Sequence, residues 1–401
     1  MQNNTKRLAD ETPATGDLSR RSGENGDLLV CSVFGTRPEV IKFAPVIRQL
    51  ELDGFRTLNI SSAQHRDLIR PLVEHFKIRV DHDLDVMQPG QTLNSLVSRV
   101  VDRLDPIYVK EEPSVVLVQG DTTTAMSGAL AAWNRRIPVG HLEAGLRTDT
   151  ADNPFPEEMN RRLISRLATH HFAGTQSNYD TLVSEGVDPD SVVITGNPVI
   201  DALEWTLHEN SMRETEAELP FDYDPTKKLI VLTTHRRESF GDVMLSNLEV
   251  IRDFLGAHED VELVFPVHPN PNVKAVAAKI LEGRDRVHLV DPMDYPDFLN
   301  LLSHAWLLVS DSGGLQEEAP SLGKPLLVMR ENTERPEAVE CGAAKLTGSD
   351  PEVLRRELEA AYADDTWAQN VSKMVNPFGK GDAAKLVSEH LAAQGSLVLE
   401  A

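Results

Sequence analysis

Apolar runs recur along this chain, and each closes on a short polar or glycine-bearing word before a helix-like stretch begins. Leu28–Phe34, Thr57–Ser62, Val115–Gln119 and Pro138–Leu142 form one series. Leu229–Thr233, Val261–Val267, Val287–Val290, Trp306–Ser310 and Pro325–Met329 form a second. After the first run, Val40, Ile41, Ala44, Ile47 and Leu50 give a helix its inward stripe, with Pro38 near the first turn. Strands alternating with helices imply parallel sheets, and two series imply an α/β fold of two doubly wound domains with a cleft between them. At 401 residues the chain is long enough for two hydrophobic cores. Residues 1–27 read as a disordered extension too polar to offset its own ordering entropy, 28–198 as a first domain and 199–376 as a second. The punctuated turn Ile194–Pro198 and the polar stretch to Pro220 connect the two.

Composition removes several classes. With 63 acidic against 40 basic residues the formal charge is −23, which argues against nucleic acid or an anionic membrane as partner. An anionic ligand would then need locally clustered cations. Cys31 and Cys341 are too few and too far apart for a disulfide framework or a metal pair, so a reducing cytoplasm is expected. No apolar run approaches the roughly 20 residues of a membrane span, and no signal-peptide core is seen at the amino terminus. The chain contains no G-x-G-x-x-G, G-x-x-x-x-G-K-[ST] or H-E-x-x-H, so neither tightly bound NAD nor catalytic zinc is expected.

Four words follow strand-like runs, where ligands of open α/β sheets bind. They are Gly35-Thr36-Arg37-Pro38-Glu39, Gly120-Asp121-Thr122-Thr123-Thr124, Glu143-Ala144-Gly145-Leu146-Arg147-Thr148 and Asp311-Ser312-Gly313-Gly314-Leu315-Gln316-Glu317-Glu318. Ser312, Gly313 and Gly314 open a helix whose amide groups would face a phosphate, and Glu318 one turn on would reach a ribose. The plain alternative is a helix capped by Asp311 or Ser312. Arg37 and Lys42 sit at a helix start, where a cation does not help the dipole, so either a diphosphate or water accounts for them. Asp121 suits a helix cap as well as catalysis, whereas Glu143 before Ala-Gly has no capping advantage. With Glu157 and Glu158, which follow Asn153-Pro154-Phe155-Pro156, these carboxylates would raise one another's pKa through repulsion and burial, tuning them as general acids or bases. His235 and His268 end strands of the second series, and with Arg335 they would bring cations to the cleft.

Together these words resemble the non-hydrolysing UDP-N-acetylglucosamine 2-epimerases, from about Leu28 to Leu391. The resemblance implies two Rossmann-like domains in a GT-B-type arrangement, with a final helix in residues 377–401 crossing back to the first domain. It implies a cytoplasmic homodimer that interconverts UDP-GlcNAc and UDP-ManNAc for cell-surface polysaccharide without NAD or a required metal. The route would be anti elimination of UDP to a 2-acetamidoglucal, then re-addition. On this chain the acid/base carboxylates would be Asp121, Glu143 and Glu157, and the catalytic histidine His235. Arg37, Lys42, His268, Ser312, Gly313 and Gly314 would hold the diphosphate, Glu318 the ribose and Phe298 the uracil side, with Arg161 and Arg335 completing the pocket. Gln119 and Met293 depart from the family pattern. The segment Gln64-His65-Arg66-Asp67 and the cation-free Met87–Gln91 argue against activation by substrate at a second site. Two other readings share the cleft: a 2-epimerase of a UDP-2,3-diacetamido uronic acid, which should call for another cation, and a GT-B glycosyltransferase, which would not need the carboxylate set.

Overall fold

The structure is a computed structural model that describes residues 24–64, 66–148, 150–212, 219–222, 224–234 and 241–399. Most of the expected disordered extension, residues 1–23, lies outside them, and Glu24–Asp27 form a single 3-10 turn. Among the described residues the first lobe holds β1 (Leu29–Phe34), β2 (Arg56–Ser61), β3 (His82–Asp83), β4 (Val115–Gln119), β5 (Val139–Ala144), β6 (His170–Ala173) and β7 (Val192–Ile194). Its helices are α1 (Arg37–Leu52), α2 (Arg66–His75), α3 (Leu93–Glu111), α4 (Thr123–Asn134), α5 (Glu157–Leu167) and α6 (Gln176–Ser184). α7 (Pro198–Ser211) leads to the second lobe, which contains β8 (Lys228–Thr233), β9 (Val261–Pro266), β10 (Val287–Val290), β11 (Leu307–Ser310), β12 (Leu326–Val328) and β13 (Ala344–Leu346). Around that sheet lie α8 (Asp242–Ala257), α9 (Pro271–Leu281), α10 (Tyr295–His304), α11 (Gly313–Leu322), α12 (Pro336–Glu340), α13 (Pro351–Ala363) and α14 (Thr366–Val371), and α15 (Ala383–Leu399) comes last.

Both sheets are parallel, ordered β3-β2-β1-β4-β5-β6-β7 and β10-β9-β8-β11-β12-β13. Strands buried on both faces need apolar side chains at every position, which is why Val115–Gln119 and Lys228–Thr233 read as runs without alternation. Pro138 and Pro325 fall just outside β5 and β12 because proline has no amide to donate; each contributes only its carbonyl, to Val116 and Leu308. The expected stripe of α1 is buried as a whole, from Val40 to Leu50, against Val30 and Phe34. In each sheet the strand order reverses once, between β1 and β4 and between β8 and β11, which opens a crevice at the carboxyl ends of those strands.

One core continues from lobe to lobe. Val199, Ile200 and Leu203 of α7 belong to the same buried cluster as α1 on one side and Leu299, Leu302 and Leu315 on the other. α15 packs against α1 and α7: Val387 and Leu391 enter that cluster, Asp201 accepts the amides of Ala383 and Ala384, and Ser388 donates to Asp53. The two chain crossings touch, since a side chain on Gly196 would come within 3.0 Å of Gly379 Cα and the Phe378 carbonyl. The Asn197 amide donates to that carbonyl at 2.7 Å.

Candidate active site

The two strand-order reversals face one cavity of about 680 Å³, within the roughly 300–1,000 Å³ usual for small-molecule sites. Of the residues expected from sequence, Arg37, Lys42, Asp121, Glu143, Glu157 and Arg161 line it from the first lobe. His268, Phe298, Ser312, Gly313, Gly314, Glu318 and Arg335 line it from the second. His235 lies outside the described residues.

At the second lobe's end of the cavity, β11 runs into α11. Ser312 is the N-cap residue, but its side chain makes no capping bond, and Asp311 is occupied by the Thr234 hydroxyl at 2.8 Å. The helix start is therefore not closed by its own side chains, contrary to the simple capping alternative. A side chain built on Gly314 would meet nothing nearer than the Ser312 hydroxyl at 3.9 Å, so a ligand can approach this backbone closely. Glu318 is buried and accepts from the Tyr295 hydroxyl at 2.8 Å. Burial pushes its carboxyl up to about 7, with Glu317 adding repulsion and Tyr295 and Lys42 opposing. Phe298 of α10 is half-buried, and the exposed His268 accepts the Asn270 amide on Nδ1.

At the first lobe's end, β4 turns through Gly120 at φ +67° into Asp121. Thr122 caps α4 by accepting the Ala125 amide at 2.9 Å, which leaves the Asp121 carboxylate to Arg161 at 2.9 Å. Arg161 is buried and held from its other side by Glu158, whose carboxylate also takes Arg162 and the Thr148 amide. Glu158 thus fixes the loop before α5, while the half-buried Glu157 faces the cavity.

Glu143 has the most constrained backbone of the set. β5 continues past Leu142 to Ala144 through a register shift, and Glu143 sits in it at φ +63°. A left-handed glutamate costs on the order of 1–3 kcal/mol, so surrounding contacts must hold it there. They do: Lys42 and Gln119 bond its two carboxylate oxygens, and Asn197 donates at 3.0 Å. The expected mutual raising of pKa does not hold at Glu143. Burial pushes upward, but Lys42 and Arg335 outweigh it and keep this carboxyl well below its ordinary value. Lys42, read as a diphosphate ligand, is paired here with Glu143 and Glu317.

Three lining residues carry weight beyond the sequence reading. Glu39, fully buried, accepts from the Gly35 and Thr36 amides and from both the Thr36 and Thr122 hydroxyls, tying the first two words together. Its signal was the Thr-x-x-Glu spacing of a capping box. Burial raises its carboxyl to about 7, against those hydrogen bonds. Tyr295 carried no local signal. Glu317 stands three residues after Gly314 and so lies over the open start of α11, as Glu318 does four residues after it.

Two doubly wound lobes, with carboxylates on one side of the cleft and an open helix start on the other, define an α/β enzyme of GT-B architecture. The sequence profile of the family described as UDP-N-acetylglucosamine 2-epimerase matches residues 48–392. A UDP-N-acetylglucosamine 2-epimerase of Escherichia coli K12 is 45% identical over 368 residues, covering 90% of this chain and 98% of that protein. The Bacillus subtilis protein of the same name is 42% identical over 368 residues, covering 91% and 95%. Among solved structures, UDP-GlcNAc 2-epimerase of Neisseria meningitidis bound to UDP-GlcNAc superposes with a TM-score of 0.86 at 40% identity, covering 91% of this chain and 99% of that one. The Methanocaldococcus jannaschii enzyme in complex with UDP-GlcNAc and UDP gives 0.77 at 30% identity, covering 91% and 100%. The chain belongs to the UDP-N-acetylglucosamine 2-epimerase family and is an isomerase. No described helix is long and apolar enough to cross a membrane.

Proposed function

We propose that the protein interconverts UDP-N-acetylglucosamine and UDP-N-acetylmannosamine by eliminating and re-adding UDP. The observation that carries this is the single cavity joining the uncapped start of α11 and Glu318 to Asp121, Glu143 and Glu157. A nucleotide diphosphate fits the first end and acid/base chemistry on its sugar fits the second. In the forward direction a carboxylate takes the proton from sugar carbon 2, and the electron pair of that bond forms the carbon 1–carbon 2 double bond. The bond from carbon 1 to the diphosphate oxygen breaks, and its pair leaves with UDP. Re-addition reverses these steps, with the proton delivered to the opposite face. No net electrons move, so the balance requires no redox cofactor.

Arg37, His268, the Ser312 hydroxyl and the amides of Gly313 and Gly314 stabilise the departing UDP, while Glu318 and Phe298 hold the ribose and uracil; the Ser312 amide is taken by the Ser310 hydroxyl. Arg161 holds Asp121, and Lys42 and Arg335 hold Glu143. His235 takes the role of the family's catalytic histidine. Closure about the adjoining crossings at Gly196 and Gly379 keeps UDP and the glycal together between the two turns. A homodimer in the cytoplasm supplying ManNAc for cell-surface polysaccharide is the setting this activity implies.

The test is proton NMR of the protein with UDP-GlcNAc in deuterium oxide, without added NAD or metal. The expected result is UDP-ManNAc with deuterium at carbon 2. Free ManNAc would assign a hydrolysing reaction instead, and no exchange would redirect the reading to a diacetamido-uronate substrate or to glycosyl transfer.

A further inference from the structure

Four charges meet where the lobes meet, Lys42 and Glu317 buried, Glu143 and Arg335 partly so. Each lobe supplies one internal pair: Lys42 with Glu143 in the first, and Arg335 with Glu317, at 2.6 Å, in the second. Two further contacts run across: Lys42 Nζ lies 3.3 Å from Glu317 Oε2, and Arg335 Nη2 lies 3.8 Å from Glu143 Oε1. The four formal charges cancel. Each cation therefore touches both carboxylates, and the cross contacts exist only while the lobes are together.

We propose that Glu317 is a positioning residue for the epimerisation. It holds Lys42 and Arg335 in shared custody with Glu143, so that nucleotide seated on α11 controls how strongly those cations bind the reacting carboxylate. This inference rests on the epimerase reading above.

Three observations support it. Glu317 stands beside Glu318 in the same turn of α11, so a ligand that moves this helix moves both. Its Oε2 is buried and accepts no hydrogen bond, although Lys42 is within ion-pair distance. That oxygen has room to take Lys42 fully when the lysine leaves Glu143. Finally, Glu143 is doubly bridged by cations, and a carboxylate so neutralised is a weak base for a carbon-bound proton. An arriving diphosphate adds a competing anion. With Glu317 retaining its share of the cations, Glu143 is relieved of part of its pairing and gains basicity only when the nucleotide is present.

Other charges around the cluster are accounted for. Glu334 lies 3.6 Å from Arg335 and is itself bonded by Arg330, and Glu318 adjoins Glu317. Gln119 and Asn197, the remaining partners of Glu143, are neutral. Removing the Glu317 charge takes an anion away from Glu143 and leaves both cations to it, so the Glu143 carboxyl shifts further down.

The experiment is steady-state epimerisation of UDP-GlcNAc by the full chain carrying Glu317→Gln or Glu317→Asp, with kcat measured across pH and UDP affinity measured separately. For Glu317→Gln the expected result is a kcat lowered about tenfold to a hundredfold, a KM within about threefold, and an acid limb of kcat displaced to lower pH. Glu317→Asp, which keeps the charge on a shorter arm, should fall between the two and also decides the matter if the glutamine variant does not fold. An unmoved acid limb with unchanged kcat in either variant would overturn the proposal. So would losses of kcat and UDP affinity that merely track a lowered Tm. An unsubstituted chain that fails to epimerise UDP-GlcNAc would sink the epimerase reading and this inference with it, whereas the variant results above bear on Glu317 alone.

Discussion

Glu318 makes the ribose assignment quantitative. Its carboxyl, raised to about 7 by burial, must be ionised to accept two ribose hydroxyls well, so nucleotide binding should weaken as pH falls through that value. At about pH 6 roughly nine-tenths of the free sites would be protonated, and Kd should be about tenfold above its plateau near pH 8. The ligand should be a UDP-sugar, because the terminal phosphate of UDP titrates near pH 6 and would imitate the effect. Calorimetric titration with a pre-equilibrated mixture of the two UDP-sugars removes heat of reaction. Glu39 lines the same cavity and is also raised to about 7, so the Glu318→Gln variant is the discriminating control. Its amide oxygen still accepts one bond, and the loss should be on the order of 2 kcal/mol, about thirtyfold in Kd, with the pH dependence flattened. Folding stability should move the other way. A buried carboxyl with a raised pKa penalises the fold increasingly from its unfolded value up to about 7, and fully above that. Removing the penalty, about 3 kcal/mol, should therefore raise the Tm of the unliganded variant near pH 8. A variant that binds as tightly as the parent, or a parent whose affinity is flat between about pH 6 and pH 8, would refute the assignment.

Tyr295→Phe removes the hydroxyl that stabilises ionised Glu318, so the midpoint of that pH dependence should move upward; a midpoint that stays or falls would count against the pairing. Glu143→Gln should cost turnover at least about a hundredfold while leaving UDP affinity equal or higher, because the cavity gains a net positive charge. Near-normal turnover would remove Glu143 from the chemistry. Gly145→Ala places a methyl 2.4 Å from the Asn178 carbonyl at φ +95°, and thermal unfolding should show a loss of about 3 kcal/mol. An unchanged Tm would mean the turn after β5 is looser than its geometry implies.

Local order along the chain was readable because it rests on local physics. Apolar runs located nine of the thirteen described strands to within a residue or two, since a parallel strand needs apolar side chains on both faces, and the words after them fell at the cleft; the short strands β3, β6, β7 and β13 gave no such run and were missed. The pairing of Lys42 with Glu143 and Glu317 was not readable. It depends on how two sheets face one another, and a lysine near a helix start looks the same whether it meets a phosphate, water or a carboxylate. The direction of the Glu143 shift was missed for the same reason: its neighbouring carboxylates are close in sequence, but its cations come from α1 and from the start of α12. The buried acceptor Glu39 was legible in principle from Thr36, although the hydroxyl of Thr122 that completes it was not.

The docking of α15 on α1 and α7 has a bearing on synthesis. Residues 383–399 emerge from the ribosome only after the entire second sheet, yet Val387 and Leu391 complete the apolar flank of the first lobe. Domains normally mature in the order in which they are made. Here the lobe begun first is finished last, so a nascent chain carries an unsealed greasy flank beside α1 until its final helix arrives. Truncation within that helix should therefore reduce soluble yield by unsealing the opposite end of the gene product.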